Sequence, residues 1–123
     1  MTADEATAFA LSLPKAVEDH PFGDTPDVYR VEGSIFALLM PDSDHPRISL
    51  KCDPELALVL RAQYESVIPG YHLNKKHWNT VDLAGSVPDD ELRDMIRHSY
   101  DRVVSKMPKA IREPLLKALK YVV

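Results

Sequence analysis

The chain is 123 residues long, 45% hydrophobic and 28% charged, with a formal net charge of −4. Those values describe one ordinary globular domain spanning residues 1–123, long enough for a core without disulfides or a structural metal, and they exclude a disordered chain. No apolar run approaches the roughly 18 residues of a membrane span, so no membrane partner is expected. Met1-Thr2-Ala3-Asp4-Glu5 is acidic and lacks the apolar stretch of a leader. The single cysteine, Cys52, excludes an internal disulfide and fits a reducing cytoplasm. Residues 1–60 carry four Lys/Arg against eleven Asp/Glu, and residues 61–123 carry eleven against eight. That asymmetry permits a local basic face on an acidic protein.

In chain order, Thr2-Ala3-Asp4-Glu5 reads as a capping box, and Ala6, Phe9, Ala10 and Leu13 follow at helical spacing. Pro14 stops that helix. Residues 14–26, rich in Pro and acids, read as an ordered loop with Phe22 tucked into the core. Val28–Val31 and Ile35–Leu39 are strand-like around a two-residue Glu32-Gly33 turn. After the loop Pro41–Pro46, Arg47–Lys51 alternates as a third strand, which predicts an antiparallel meander. Asp53-Pro54-Glu55 opens a helix whose inner face is expected at Leu56, Val59, Leu60 and Gln63 or Tyr64.

A strand or turn around Val67 to His72 and a firmer strand from His77 to Leu83 come next. The longest helix is predicted from Asp89 to about Met107, with Leu92, Met95, Ile96, Ser99 and Val103 on one face and acids at its positive end. Pro108 breaks it, and Pro114 opens a last short helix burying Leu115, Leu116 and Leu119. The fold class is α+β, in the order α-βββ-α-ββ-α-α. Phe36, Leu38, Leu56, Leu60, Val81, Leu92 and Ile96 are the expected core.

The stretch Pro69–Leu83 stands apart. It holds the sole Trp, two of the five His, a Lys-Lys pair and two Asn, with no acid before Asp82. Leu73-Asn74-Lys75-Lys76-His77-Trp78-Asn79-Thr80-Val81-Asp82-Leu83 resembles the signature of the MmcQ/YjbR family of small bacterial proteins. Ile48-Ser49-Leu50-Lys51, Pro54-Glu55-Leu56-Ala57 and Gly85-Ser86-Val87-Pro88-Asp89 resemble the same family, which extends the likeness over about Thr2 to Leu119. The resemblance implies an α+β fold with an antiparallel sheet whose loops form a double wing, and a role in DNA binding.

Two functional readings of this stretch stand side by side. In the first, a non-enzymatic cytosolic protein binds DNA weakly through a 71–80 hairpin. Lys75 and Lys76 neutralise phosphates there, while Asn74, His77 and Asn79 supply polar contacts. In the second, Tyr71, His72 and Trp78 border a pocket for a protein or a small acidic ligand. Trp78 reads more as a hairpin anchor than as a base-stacking platform. By position Asp42-Ser43-Asp44-His45 should be one wing, yet it is acidic, the wrong sign for a phosphate contact. No cofactor is expected: glycine-rich phosphate loops and Gly-x-Ser-x-Gly are absent from the sequence. His72 and His77 are five apart rather than four, without a third ligand at metal-site spacing. Cys52 reads as a small buried hydrophobe, and the cluster Asp89-Asp90-Glu91 as complement to a helix dipole.

Overall fold

The computed structural model describes residues 1–42 and 44–122. In chain order the elements are α1 (Ala3–Ser12), β1 (Val17–Asp19), β2 (Asp27–Val31), β3 (Ser34–Met40), β4 (Arg47–Lys51), α2 (Pro54–Gln63), β5 (Val67–Pro69), β6 (Trp78–Asp82), α3 (Asp89–Val104) and α4 (Lys109–Leu119). The strands form one antiparallel sheet ordered β1-β2-β3-β4-β6-β5. This is the expected single α+β domain, and the meander gains one strand at its outer edge. β1 lies in the stretch read as a loop, where three residues are too few for alternation to register. Among the described residues no helix is long and apolar enough to cross a membrane. The acidic 42–45 loop contains Ser43, which lies outside the described residues.

Local chemistry fixes most boundaries. At α1 the capping box closes reciprocally: Glu5 N donates to Thr2 Oγ1 at 3.1 Å and Thr2 N to Glu5 Oε1 at 3.0 Å. Glu32 and Gly33 join β2 to β3 with φ of 48° and 81°, the two positive angles of a type I′ turn. α3 crosses β3 and β4 and buries Leu92, Ile96, Ser99, Tyr100, Val103 and Val104. Ser99 Oγ donates to Phe36 O and accepts from Lys51 N at 2.8 Å, so a polar residue sits satisfied on the inner face of the helix. Phe36 and Tyr100 meet edge to face at 5.4 Å.

Several expectations need correction, including the burial of Leu116 and Leu119, which are only half-buried in α4 while Leu115 is buried. In α2 only Ala57 is buried, while Leu56, Leu58 and Val59 are 38%, 62% and 57% exposed. The helix is apolar almost all round, so periodicity does not select a side. Its inward line is Ala57, Leu60 and Tyr64, with Arg61 reaching in beside them. Leu60 and Leu38 are half-buried rather than buried. Phe22 does not join the core but is 65% exposed in the β1–β2 connection. Finally, α4 starts at Lys109, after Pro108, and carries Pro114 inside it; one missing N–H was not enough to delay the start.

Candidate functional site

Alternation along β6 divides the signature stretch between two sides of the sheet. Asn79 and Val81 face the helices, whereas Trp78 and Thr80 face away from them. Register places Trp78 opposite Lys51, Asn79 opposite Leu50 and Thr80 opposite Ser49. On the helical side, Asn79 is 3% exposed. Its Oδ1 accepts from Arg61 Nε at 2.7 Å and its Nδ2 donates to Ala57 O at 3.4 Å. The same guanidinium donates to Lys75 O and to Trp78 O. Arg61 thereby ties α2 to the loop 70–77, a long-range role with no local sequence signal.

The loop is closed from within. Asn74 Oδ1 accepts from Lys76 N at 2.9 Å, and Asn74 O accepts from Trp78 N at 3.0 Å. Lys75 Nζ donates to Gly70 O at 3.1 Å, and His77 O accepts from Cys52 N at 2.8 Å. A Cβ on Gly70 would lie 2.7 Å from Trp78 Cβ, so the glycine is required by close approach. Tyr71 N donates to Thr80 Oγ1 at 3.0 Å, and Thr80 Oγ1 lies 2.8 Å from Ser49 Oγ.

This packing leaves a groove of about 360 to 440 Å³ on each side of β4 and β6. The larger, 440 Å³, is on the side away from the helices and none of its lining is helical. Leu38, Met40, Ser49 and Trp78 line it from the strands, Phe22 and Pro26 from the β1–β2 connection, and Tyr71, His72 and Leu73 from the loop. Tyr71 is 55% exposed, and its ring lies 4.1 Å from that of His72. Arg47 also lines this groove, with its guanidinium carbon 5.6 Å from the centre of the Tyr71 ring.

Comparison with known proteins agrees with this architecture. The YjbR family profile matches residues 11–102. The chain belongs to the YjbR family. It is 35% identical over 116 residues to the uncharacterised protein YjbR of Escherichia coli (strain K12), covering 94% of this chain and 98% of that one. The uncharacterised protein YbdF of Escherichia coli O157:H7 is 39% identical over 106 residues, 86% of this chain and 87% of its own length. A crystal structure of Deinococcus radiodurans protein DR2400, a DUF419 domain, superposes with a TM-score of 0.86 at 41% identity, over 93% of this chain and 87% of that one. A Pseudomonas syringae protein gives 0.74 at 30% identity, over 84% and 99%.

Within this YjbR-family fold the two residue sets read from the sequence fare differently. Tyr71, His72 and Trp78 come together at one groove. Asn74, Lys75, Lys76, His77 and Asn79 do not make one face: Asn79 is buried against α2, Lys75 is turned back onto Gly70, and Asn74 closes its own turn. Among the described residues Lys76 alone of the set has an exposed side chain with no polar partner. Residues 71–77 are a loop between β5 and β6 rather than paired strands. On α3, Arg97 is engaged by Asp94, Val122 O and the Phe9 ring. Phe22, Leu38, Met40, Arg47 and Ser49 were not read as site residues. Alternation in β4 carried a signal for Arg47 and Ser49.

The smaller groove, 360 Å³, lies between α2 and α3 over Leu50 and Val81, with Cys52, Met95 and His98 along it. His98 Nε2 accepts from Asp53 N, the cap residue of α2, at 3.1 Å. Burial and then the Arg102 charge lower the pKa of His98, favouring the neutral ring that this bond requires. Burial, with help from Asp53, pushes the Cys52 thiol up to about 11, so it stays protonated at neutral pH.

Proposed function

We propose that this protein is a non-enzymatic binding module of the cytosol whose site is the open-face groove, and that it takes a small acidic molecule with an apolar or aromatic body. The observation behind this reading is the meeting of Tyr71, His72 and Trp78 with Arg47 around 440 Å³ of apolar space. That volume falls in the ordinary range of small-molecule sites, about 300–1,000 Å³. Leu38, Met40 and Trp78 would cover the ligand's body, and Arg47 would meet its anionic group with the Ser49 hydroxyl beside it.

The test uses the sole tryptophan as a reporter inside the site. The probe is 8-anilinonaphthalene-1-sulfonate, an aromatic body bearing one anionic group. Saturable quenching of Trp78 is expected, with energy transfer to the probe. Arg47→Ala should weaken binding by about tenfold or more, the worth of one charged hydrogen bond. Unchanged Trp78 emission, or equal affinity of Arg47→Ala, would reject the reading. DNA binding through residues 71–80 retains one supporting observation, the free ammonium of Lys76. If it operates, the salt slope of oligonucleotide anisotropy should be shallow, about −1, and should vanish in Lys76→Ala.

A further inference from the structure

The stretch that the sequence left as a loop carries a cluster unconnected with either groove. β1 pairs with β2 in the register Glu18↔Tyr29 and Asp19↔Val28. Glu18 and His20, two apart, therefore share one side, and Asp27 falls across from His20 on that same side. Their ligand atoms converge. His20 Nε2 lies 2.8 Å from Asp27 Oδ1 and 3.5 Å from Glu18 Oε2, and one donor atom from each of the three residues falls within 4.8 Å of the others.

We propose that Glu18, His20 and Asp27 bind a divalent first-row transition ion, Zn²⁺ or Mn²⁺, at the outer edge of the sheet. Two features of the surroundings favour a cation over a simple surface ion pair. First, both carboxylates approach the same imidazole nitrogen, and one N–H can serve only one of them well. Even an imidazolium leaves the triad at a net charge of −1. Arg30 on β2 is already held by Asp19 Oδ2 at 2.9 Å and Gly33 O at 3.0 Å. Second, Glu18 is oriented from behind. Tyr29, fully buried, donates its hydroxyl to Glu18 Oε1 at 3.0 Å and lies 2.8 Å from Thr7 Oγ1, which leaves Glu18 Oε2 directed at His20. Outer partners of this kind fix ligand orientation in metal sites.

The donor set, one imidazole nitrogen and two carboxylate oxygens, suits Zn²⁺ or Mn²⁺ better than Ca²⁺ or Mg²⁺, which favour all-oxygen shells. Bonds of about 2.0–2.2 Å would put ligand atoms about 3.4 Å apart around a tetrahedral ion. The present spacings bracket that value. Glu18 and His20, both exposed, can make the adjustment, and the remaining coordination positions would be filled by water.

The experiment uses untagged full-length protein with Mn²⁺ and Zn²⁺ as the probes. Mn²⁺ should broaden the amide resonances of residues 17–20, 27 and 28 saturably, and Zn²⁺ should titrate calorimetrically to one site. His20→Ala, and separately Glu18→Gln, which keeps an acceptor for Tyr29 but loses the charge, should each weaken binding at least tenfold. Tyr29→Phe should weaken it about tenfold to a hundredfold as an outer-partner loss. His45→Ala, removing a histidine elsewhere on the surface, should change nothing. Broadening centred on other residues, absence of saturation, or wild-type affinity in His20→Ala would each overturn the proposal.

Discussion

Trp78 and Asn79 are adjacent in the chain and belong to different environments. Asn79 enters the layer under the helices, where both ends of its amide are satisfied and solvent is excluded. Trp78 enters the open side, where loops instead of helices border an apolar groove. A signature read along the sequence looks like one polar, aromatic patch. Folded, it is a half bonded into the scaffold and a half that borders the open groove, separated by one strand. Residue types that suggest binding chemistry can be consumed by the scaffold when their strand has a buried side.

The two sides should differ most in what a truncation costs. Ile96→Ala removes a fully buried side chain from the covered side and should cost about 2–5 kcal/mol. Tyr71→Ala on the open side should cost about 0.5 kcal/mol or less while weakening binding of the aromatic sulfonate. Urea unfolding of both variants measures the contrast, and equal losses would break it.

Arg61→Ala is a finer test of how the covered side holds the loop. Removing the guanidinium leaves buried Asn79 Oδ1 without its donor and releases its hold on the carbonyls of Lys75 and Trp78. A loss of about 1–3 kcal/mol is expected for the unsatisfied group, with faster amide exchange at residues 74–78. A stability loss without faster exchange there would show that Arg61 supports α2 alone.

The smallest effect is a pH dependence confined to the covered side. The pKa of His98 is lowered in the folded state, so the unfolded chain binds more protons at mildly acid pH. Its contribution to stability is complete above the unfolded value of about 6.5 and declines as pH falls toward the folded value. His98→Gln should reduce the difference between urea midpoints measured at about pH 7.5 and about pH 5.5. A wild-type difference that survives unchanged in the variant would assign the dependence to another group.

Much of this fold was legible where a local rule sufficed. The capping box at Thr2, the Glu32-Gly33 turn and the Leu92-Ile96-Ser99-Val103 face of α3 all appear as read. That Tyr71, His72 and Trp78 border one groove was legible as a matter of position, because the three lie close together in the chain. What escaped depended on partners distant in sequence. Arg61 meets Asn79 across 18 residues, and the Glu18-His20-Asp27 cluster exists only once β1 pairs with β2. α2 misled because Leu56, Leu58, Val59 and Leu60 surround the helix, so its orientation is set by a small residue, Ala57, and by the Arg61 bond. Phe22 misled because a large apolar residue beside Pro was assigned to the core, whereas the open side of the sheet has no helix to receive it.

The two outermost strands carry a consequence for self-association. β1 and β5 are three residues each, and an edge that short offers a neighbouring molecule little backbone to pair with. β5 ends in Pro69, which has no N–H to donate, and β1 presents Glu18 and Asp19, which repel an identical edge. Both margins of the sheet are therefore poor templates for strand addition. Joining of copies edge to edge into fibres is disfavoured by the same brevity that hides β1 from a reading of the sequence.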